Sequence, residues 1–194
     1  MELYDRQKDI SMNTKIKVAI VGCGGVGYWV AKFLAMSGVN EFHLFDNDVL
    51  EVHNLNRLDL PLATLGMNKA EVSKIVIQNI RPDVSVKSIP FKFKSEFLRD
   101  KVDMVIDCTD KIASQQDVYA YTKSKGIKYM KVGYDGTHIT IANKVAGWGT
   151  SEDGYQITPS WVVPAVMVAS MAVGSVLKYF GKEISTDINM LYNI

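Results

Sequence analysis

The sequence predicts an α/β fold, and three observations carry that prediction. Short apolar runs of the kind found in strands covered on both faces alternate with stretches of helical period. Four glycines, Gly22, Gly24, Gly25 and Gly27, lie between the first apolar run and the first helical stretch, where a tight strand-to-helix turn is needed. The next apolar run ends in an acid, Asp46, about 20 residues beyond those glycines. Together they describe a Rossmann-like, mostly parallel sheet with helices on both faces and an antiparallel extension late in the chain. With no repeat, low-complexity tract or linker, residues 1–194 read as a single domain.

Composition narrows the function classes. Hydrophobic residues make up 47% and charged residues 22%, the balance of a globular protein rather than a disordered one. A net charge of +1 argues against a nucleic-acid partner held by phosphate attraction. Two cysteines, Cys23 and Cys108, make neither a disulfide framework nor a four-cysteine zinc site. With no signal peptide in view, a cytoplasmic location is expected. Residues 161–177 carry no charge, yet Pro164, Ser170, Gly174 and Ser175 suit close packing inside protein. That stretch is therefore expected as a buried or subunit-interface helix and not a membrane span.

Taken in order, residues 1–15 are a polar arm or short helix. A strand at 18–21 leads through the glycine turn into a helix that stops at Ser37-Gly38, and a second strand spans 42–45. The connection 46–66 is long for its place, with Pro61 and Gly66 as breakers, and long connections in compact domains often carry function. Asn68 caps a helix whose apolar stripe runs through Ala70, Val72, Ile75, Val76 and Ile80. A strand at 84–89, a short helix at 95–101, a strand at 102–108 and a helix at 113–125 ended by Gly126 follow. Strands at 128–133 and 138–146 turn at Asp135-Gly136; a loop at 147–158, the apolar helix and a short tail complete the chain.

In an open parallel sheet, ligands sit beyond the carboxyl ends of the strands. Bare glycines let backbone N–H groups approach a phosphate, and the following helix adds its positive end. The same rule selects Asp46 and Asp48 after the second strand, Asp107 and Asp110 after the fourth, and Asn54, Arg57 and Lys69 in the segments that return over the turn. Two cations and a spare carboxylate exceed what a dinucleotide needs. They match a triphosphate with magnesium, where lysine and arginine offset phosphate charge and an aspartate holds the cation. Plainer readings stand beside these: Arg57 and Lys69 as solvated charges, Asp48 bonding its own turn, Asp110 capping the next helix. His43, His53 and His138 show no ligand spacing, and Cys108 reads as a small buried residue.

The motifs YDRQ at 4–7, GCGGVG at 22–27, FDNDVLEVHNLNR at 45–57, GMNKA at 66–70 and DCTD at 107–110 carry a resemblance to the ThiF/MoeB/HesA adenylyltransferases, the group that includes the activating enzymes of ubiquitin-like proteins. The resemblance implies activation of a carboxylate by ATP and Mg2+, giving an acyl-adenylate and pyrophosphate. Its substrate would be a small ubiquitin-like or sulfur-carrier protein, or a peptide, with a C-terminal glycine. By position, Asp46 would hold the ribose, Asn54, Arg57 and Lys69 the phosphates, and Asp110 the magnesium. Arg6 would reach across a homodimer to the other subunit's ATP.

Several positions depart from the family. Lys111 follows Asp110, Gln115 stands where an arginine is common, Leu58 replaces a glutamine, and no paired CxxC is present. The stretch 147–160 is short and offers no cysteine nucleophile, so no enzyme thioester is expected. Two alternatives remain at this stage. One is an NAD-binding oxidoreductase-type protein, resting on the glycine loop and Asp46; the other is a nucleotide-binding scaffold reduced in catalysis, resting on Lys111 and the short chain.

Overall fold

The structure, a computed structural model, describes residues 2–10, 12–146, 159–179 and 186–189. Strand β1 (Lys17–Val21) passes through the glycine turn into helix α1 (Gly27–Met36) and returns as β2 (Glu41–Phe45). Helix α2 (Lys69–Ile80) leads to β3 (Ser85–Ile89). On the other side β4 (Met104–Asp107), α3 (Ile112–Lys125) and β5 (Lys128–Tyr134) repeat the unit. An antiparallel strand β6 (His138–Ala142), helix α4 (Val162–Tyr179) and strand β7 (Thr186–Asn189) close the chain. The sheet order is β3-β2-β1-β4-β5-β6-β7, parallel through β5 and antiparallel beyond it.

Alternation along the central strands explains the layers. Val18 and Ile20 of β1 pack in the larger core with α1, α2 and α4, whereas Ala19 and Val21 face the smaller core under α3. Both faces are therefore apolar in β1 and β4, as a strand covered on both sides requires. The chain runs outward from β1 to β3 and then crosses to β4, so the strand order reverses between β1 and β4. The glycine turn stands at that reversal, where such sheets bind ligands.

Several expected elements come out differently. The helix at 95–101 is only a short 3-10 turn, Ser95–Phe97, because Lys94–Leu98 follows the end of β3 without a continuous apolar stripe. Strand β6 ends at Ala142, four residues before the expected Ala146. Part of the expected tail forms β7, which extends the sheet by pairing with β6; a four-residue edge strand has too little pattern to be read from sequence. The loop expected at 147–158 lies outside the described residues. Among the described residues no helix is long and apolar enough to cross a membrane. Helix α4 instead buries Val168, Ala169, Ala172, Val173, Val176 and Leu177 in the larger core.

His43 is buried in β2, with Nε2 3.7 Å from Asp100 Oδ2, and desolvation lowers its pKa below the usual 6.5 despite that carboxylate. The unfolded chain takes up this proton first as pH falls, so the folded state loses stability from about pH 6.5 downward through the lowered native value. Replacing His43 with Gln is expected to flatten the pH dependence of the urea midpoint in that window; an unchanged slope would count against the argument. Gly27 supplies a second expectation. A Cβ there would lie 1.8 Å from the Gly22 carbonyl oxygen, so Gly27→Ala should cost about 1–3 kcal/mol in denaturant unfolding. Gly24, with open space where its Cβ would be, should accept alanine within about 0.5 kcal/mol.

Candidate nucleotide site at the glycine turn

The turn is built from backbone constraints. Gly22 has φ +90°, a conformation that L side chains rarely adopt, and its N–H donates to the Phe45 carbonyl at 2.8 Å. A Cβ on Gly22 would meet Cys108 O at 3.0 Å, which shows how closely the end of β4 approaches the turn. A Cβ on Gly25 would lie 2.6 Å from the Tyr134 hydroxyl and 2.9 Å from Arg57 Cδ. Gly24 alone of the four faces open space. Helix α1 begins with no side-chain cap and no acid in its first turn, so no residue of that turn offsets its positive end.

Asp46 fixes the second wall. Its Oδ2 accepts the Cys23 N–H at 2.7 Å and its Oδ1 the Asp48 N–H at 2.8 Å, tying the end of β2 to the turn. Burial raises the Asp46 pKa above 3.8, while those two backbone N–H groups and Lys69 pull it back. Asp48 is exposed; it faces Lys69, whose Nζ lies 3.4 Å from Asp48 Oδ2. Asn68 does more than cap. Its Oδ1 accepts from Ala70 and Glu71 N–H at 2.9 and 3.2 Å, and its Nδ2 donates to the Asp46 and Asp48 carbonyls at 2.9 and 3.1 Å. One side chain thus starts α2 and anchors the loop after β2, which sets Lys69 beside Asp48.

Arg57 comes from the long connection. Trp29 Nε1 on α1 donates to the Arg57 carbonyl at 2.8 Å, and the Arg57 guanidinium donates from Nη1 to the His53 carbonyl and Asn56 Oδ1 at 2.9 and 2.8 Å. Its side chain lies over Gly25, so it is not a free solvated charge. Tyr28 donates to Asp59 Oδ1 at 2.5 Å and Lys32 pairs with Asp59 Oδ2, clamping the same connection onto α1. Asn54 is buried, its Oδ1 accepting the Glu51 N–H at 3.0 Å. Asn56 Nδ2 donates to the Ser160 carbonyl at 2.8 Å, which brings the start of α4 to this edge of the site.

Asp110 is exposed just past Thr109, whose N–H lies against Gly22. It does not cap α3: the cap position is Lys111, with no side-chain hydrogen bond. No group of three His, Cys, Asp or Glu that could hold a metal occurs among the described residues. A metal here would share one protein carboxylate with phosphate oxygens, the mode magnesium favours, and Asp110 fits that role. Arg6 is elsewhere. Its neighbours Tyr4 and Gln7 bond the Ala35 and Ser37 carbonyls at the far end of α1, about 15 Å along a ten-residue helix from the glycine turn.

Lys131 was not singled out in the sequence, and it sits against Asp107, which was. Asp107 is fully buried; its Oδ1 accepts from Thr109 N–H and Oγ1 at 2.9 and 2.7 Å and its Oδ2 from Tyr129 at 2.8 Å. Lys131, 1% exposed, sits 3.9 Å from Asp107 Oδ1 and donates to the Thr109 carbonyl. A lysine between Met130 and Val132 in a buried strand was the available signal. Desolvation raises the Cys23 thiol well above its usual value and Cys108 to about 12, which disfavours the thiolate at both.

The fold and this turn define a doubly wound α/β architecture with a glycine turn at its switch point. The chain belongs to the ThiF family, whose profile matches residues 4–191. It is 37% identical over 113 residues to a molybdopterin-synthase adenylyltransferase of Haemophilus influenzae, covering 56% of this chain and 45% of the relative. It is 34% identical over 136 residues to a tRNA threonylcarbamoyladenosine dehydratase of the same organism, covering 65% of this chain and 52% of the relative. The sulfur carrier protein ThiS adenylyltransferase of Escherichia coli is 33% identical over 129 residues, with 60% and 51% covered. The chain thus spans about half the length of these relatives. Among solved structures, E. coli MccB with ATP has a TM-score of 0.74 at 22% identity, covering 97% of this chain and 66% of that one.

Asn68 gives this subsection its test. Asn68→Ala should lose about 0.5–2 kcal/mol of stability, measured by urea unfolding. Asn68→Asp, which keeps the cap acceptor but not the donor, should recover part of that loss; equal values for the two variants would show that the Nδ2 contacts contribute nothing.

Proposed function

We propose that this chain is the adenylating domain of an ATP-dependent adenylyltransferase. It activates the C-terminal carboxylate of a small ubiquitin-like or sulfur-carrier protein, or of a peptide ending in glycine. The observation that carries this reading is the meeting of Arg57 and Lys69, from two separate segments, with the walls of a glycine turn whose Gly24 is left open. Family membership and two relatives named as adenylyltransferases support it. So does the likeness of the fold to MccB, which was solved with ATP.

In this reading the turn's N–H groups and the start of α1 hold phosphate oxygens, and Asp46 faces the ribose. Arg57 and Lys69 stabilise the negative charge that grows on the α-phosphate as a carboxylate oxygen attacks it. The phosphorus–oxygen bond to pyrophosphate breaks, leaving an acyl-adenylate. No general base is required, since the attacking carboxylate is already ionised. Magnesium, held through Asp110, supplies charge neutralisation to the phosphates. A homodimer belongs to the proposal because Arg6 lies at the far end of α1 from its own glycine turn and could serve a second copy. The two free thiols suit a cytoplasmic setting. An NAD-binding reading uses only the glycine turn and Asp46 and leaves Arg57 and Lys69 without a task.

ATP–pyrophosphate exchange, with candidate carrier proteins or glycine-ended peptides as the carboxylate, tests the proposal. Exchange should depend on the carboxylate partner, and Arg57→Ala or Lys69→Ala should lower it by about 100-fold or more. Exchange that survives both substitutions, or tight NAD binding in preference to ATP, would remove this function.

A further inference from the structure

The buried cluster behind the β4 loop has no part in the chemistry just described, yet it grips the peptide that carries Asp110. Lys131 Nζ donates to the Thr109 carbonyl, and lies 3.4 Å from the Asp107 carbonyl and 3.3 Å from that of Val132. Gln115 Nε2 donates to the same Thr109 carbonyl at 3.4 Å. Two side chains from two elements, both almost wholly buried, thus converge on one backbone oxygen. That oxygen belongs to the peptide unit that also contains the Asp110 N–H. In a trans peptide the two point in opposite directions within one plane. Fixing the carbonyl inward under α3 therefore directs the Asp110 N–H away from the buried lysine and limits where the Asp110 carboxylate can go.

The grip is costly to build, so it calls for an account beyond packing. A lysine with 1% exposure is tolerated because Asp107 lies across the strand pair, Asp107 being the register partner of Lys131 between β4 and β5. Asp107 in turn accepts from Thr109 and Tyr129, and the lysine's donors go to the carbonyls of the loop. Gln115 also reaches the other way. Its Oε1 accepts the Ala146 N–H at 3.3 Å, so the side chain that holds the Asp110 peptide holds the chain leaving β6 as well. The glutamine and the lysine are more economically explained as a support for the loop's exposed acid than as relics of a different site.

We propose that Lys131 and Gln115 are positioning residues that orient Asp110 toward a metal-bound triphosphate, acting through the Thr109 carbonyl. The proposal rests on the functional reading above, in which Asp110 holds magnesium. Outer partners of this kind commonly set metal affinity without touching the metal.

The test is ATP binding by calorimetry to the full chain, once with magnesium and once with EDTA. Magnesium should tighten ATP binding in the unaltered protein, and Asp110→Ala should abolish that gain. Gln115→Ala and Lys131→Met should each reduce the gain by about 10-fold or more, while affinity in EDTA stays within about twofold. Combining Lys131→Met with Asp110→Ala should lower the gain no further than Asp110→Ala alone, since the lysine acts through the acid. If Lys131→Met fails to fold because Asp107 loses its partner, Gln115→Ala decides the matter. A full magnesium gain in Gln115→Ala and in any folded Lys131→Met overturns the proposal and leaves the functional reading standing. Equal losses with magnesium and with EDTA also overturn it, since they mark a general structural role. A magnesium gain that survives Asp110→Ala overturns both.

Discussion

The contact on which the rest depends is the closure of the backbone at the glycine turn. The carbonyl of Gly22 and the α-carbon of Gly27 approach so closely that no side chain fits between them. This closure sets α1 directly on the end of β1 and points its uncapped start outward. Gly22 in turn lies against the Cys108 carbonyl, so the loop after β4 is brought to the same point. An open backbone turn at the strand reversal, where such sheets bind ligands, follows from these steric facts before any charged residue is considered.

Charge is then distributed unevenly around that closure. Asp46 is occupied by backbone N–H groups from the turn and from its own loop, and braces the one against the other. Lys69 and Arg57 arrive from α2 and from the long connection, each steadied by a residue that is not itself charged: Asn68 for the first, Trp29 for the second. The Thr109 carbonyl, next to the exposed Asp110, is held from behind by the buried Lys131 and Gln115. The recurring pattern is a backbone carbonyl at the rim held by a side-chain N–H from a neighbouring element.

Much of this was legible in the sequence and some was not. The strand, glycine turn, helix and acid could be read because local period and glycine spacing report local geometry. The motifs that resemble the ThiF/MoeB/HesA group placed Arg57, Lys69 and Asp110 around one nucleotide; in the structure Arg57 lies over Gly25, Lys69 faces Asp48, and Asp110 follows Thr109, whose N–H lies against Gly22. Asp110 as a helix cap was a fair reading of an acid ahead of a helix, but the cap position falls one residue later, on Lys111. The helix expected at 95–101 failed for want of a sustained stripe, and β7 was missed because edge pairing is decided by a distant partner. Gln115, read as a departure from the family, is a buried link between two loops.

By itself the sequence determined the α/β class, the turn between β1 and α1, the cap that opens α2 and the family to which the chain belongs. All of these depend on residues close together in the chain or on motifs in a set order. Tertiary structure alone decided which carbonyls Lys131 and Gln115 hold, that Trp29 supports Arg57, and that Arg6 stands a helix length from its own turn. Those pairings join residues brought together only when the sheet closes, and no local spacing encodes a contact made across it.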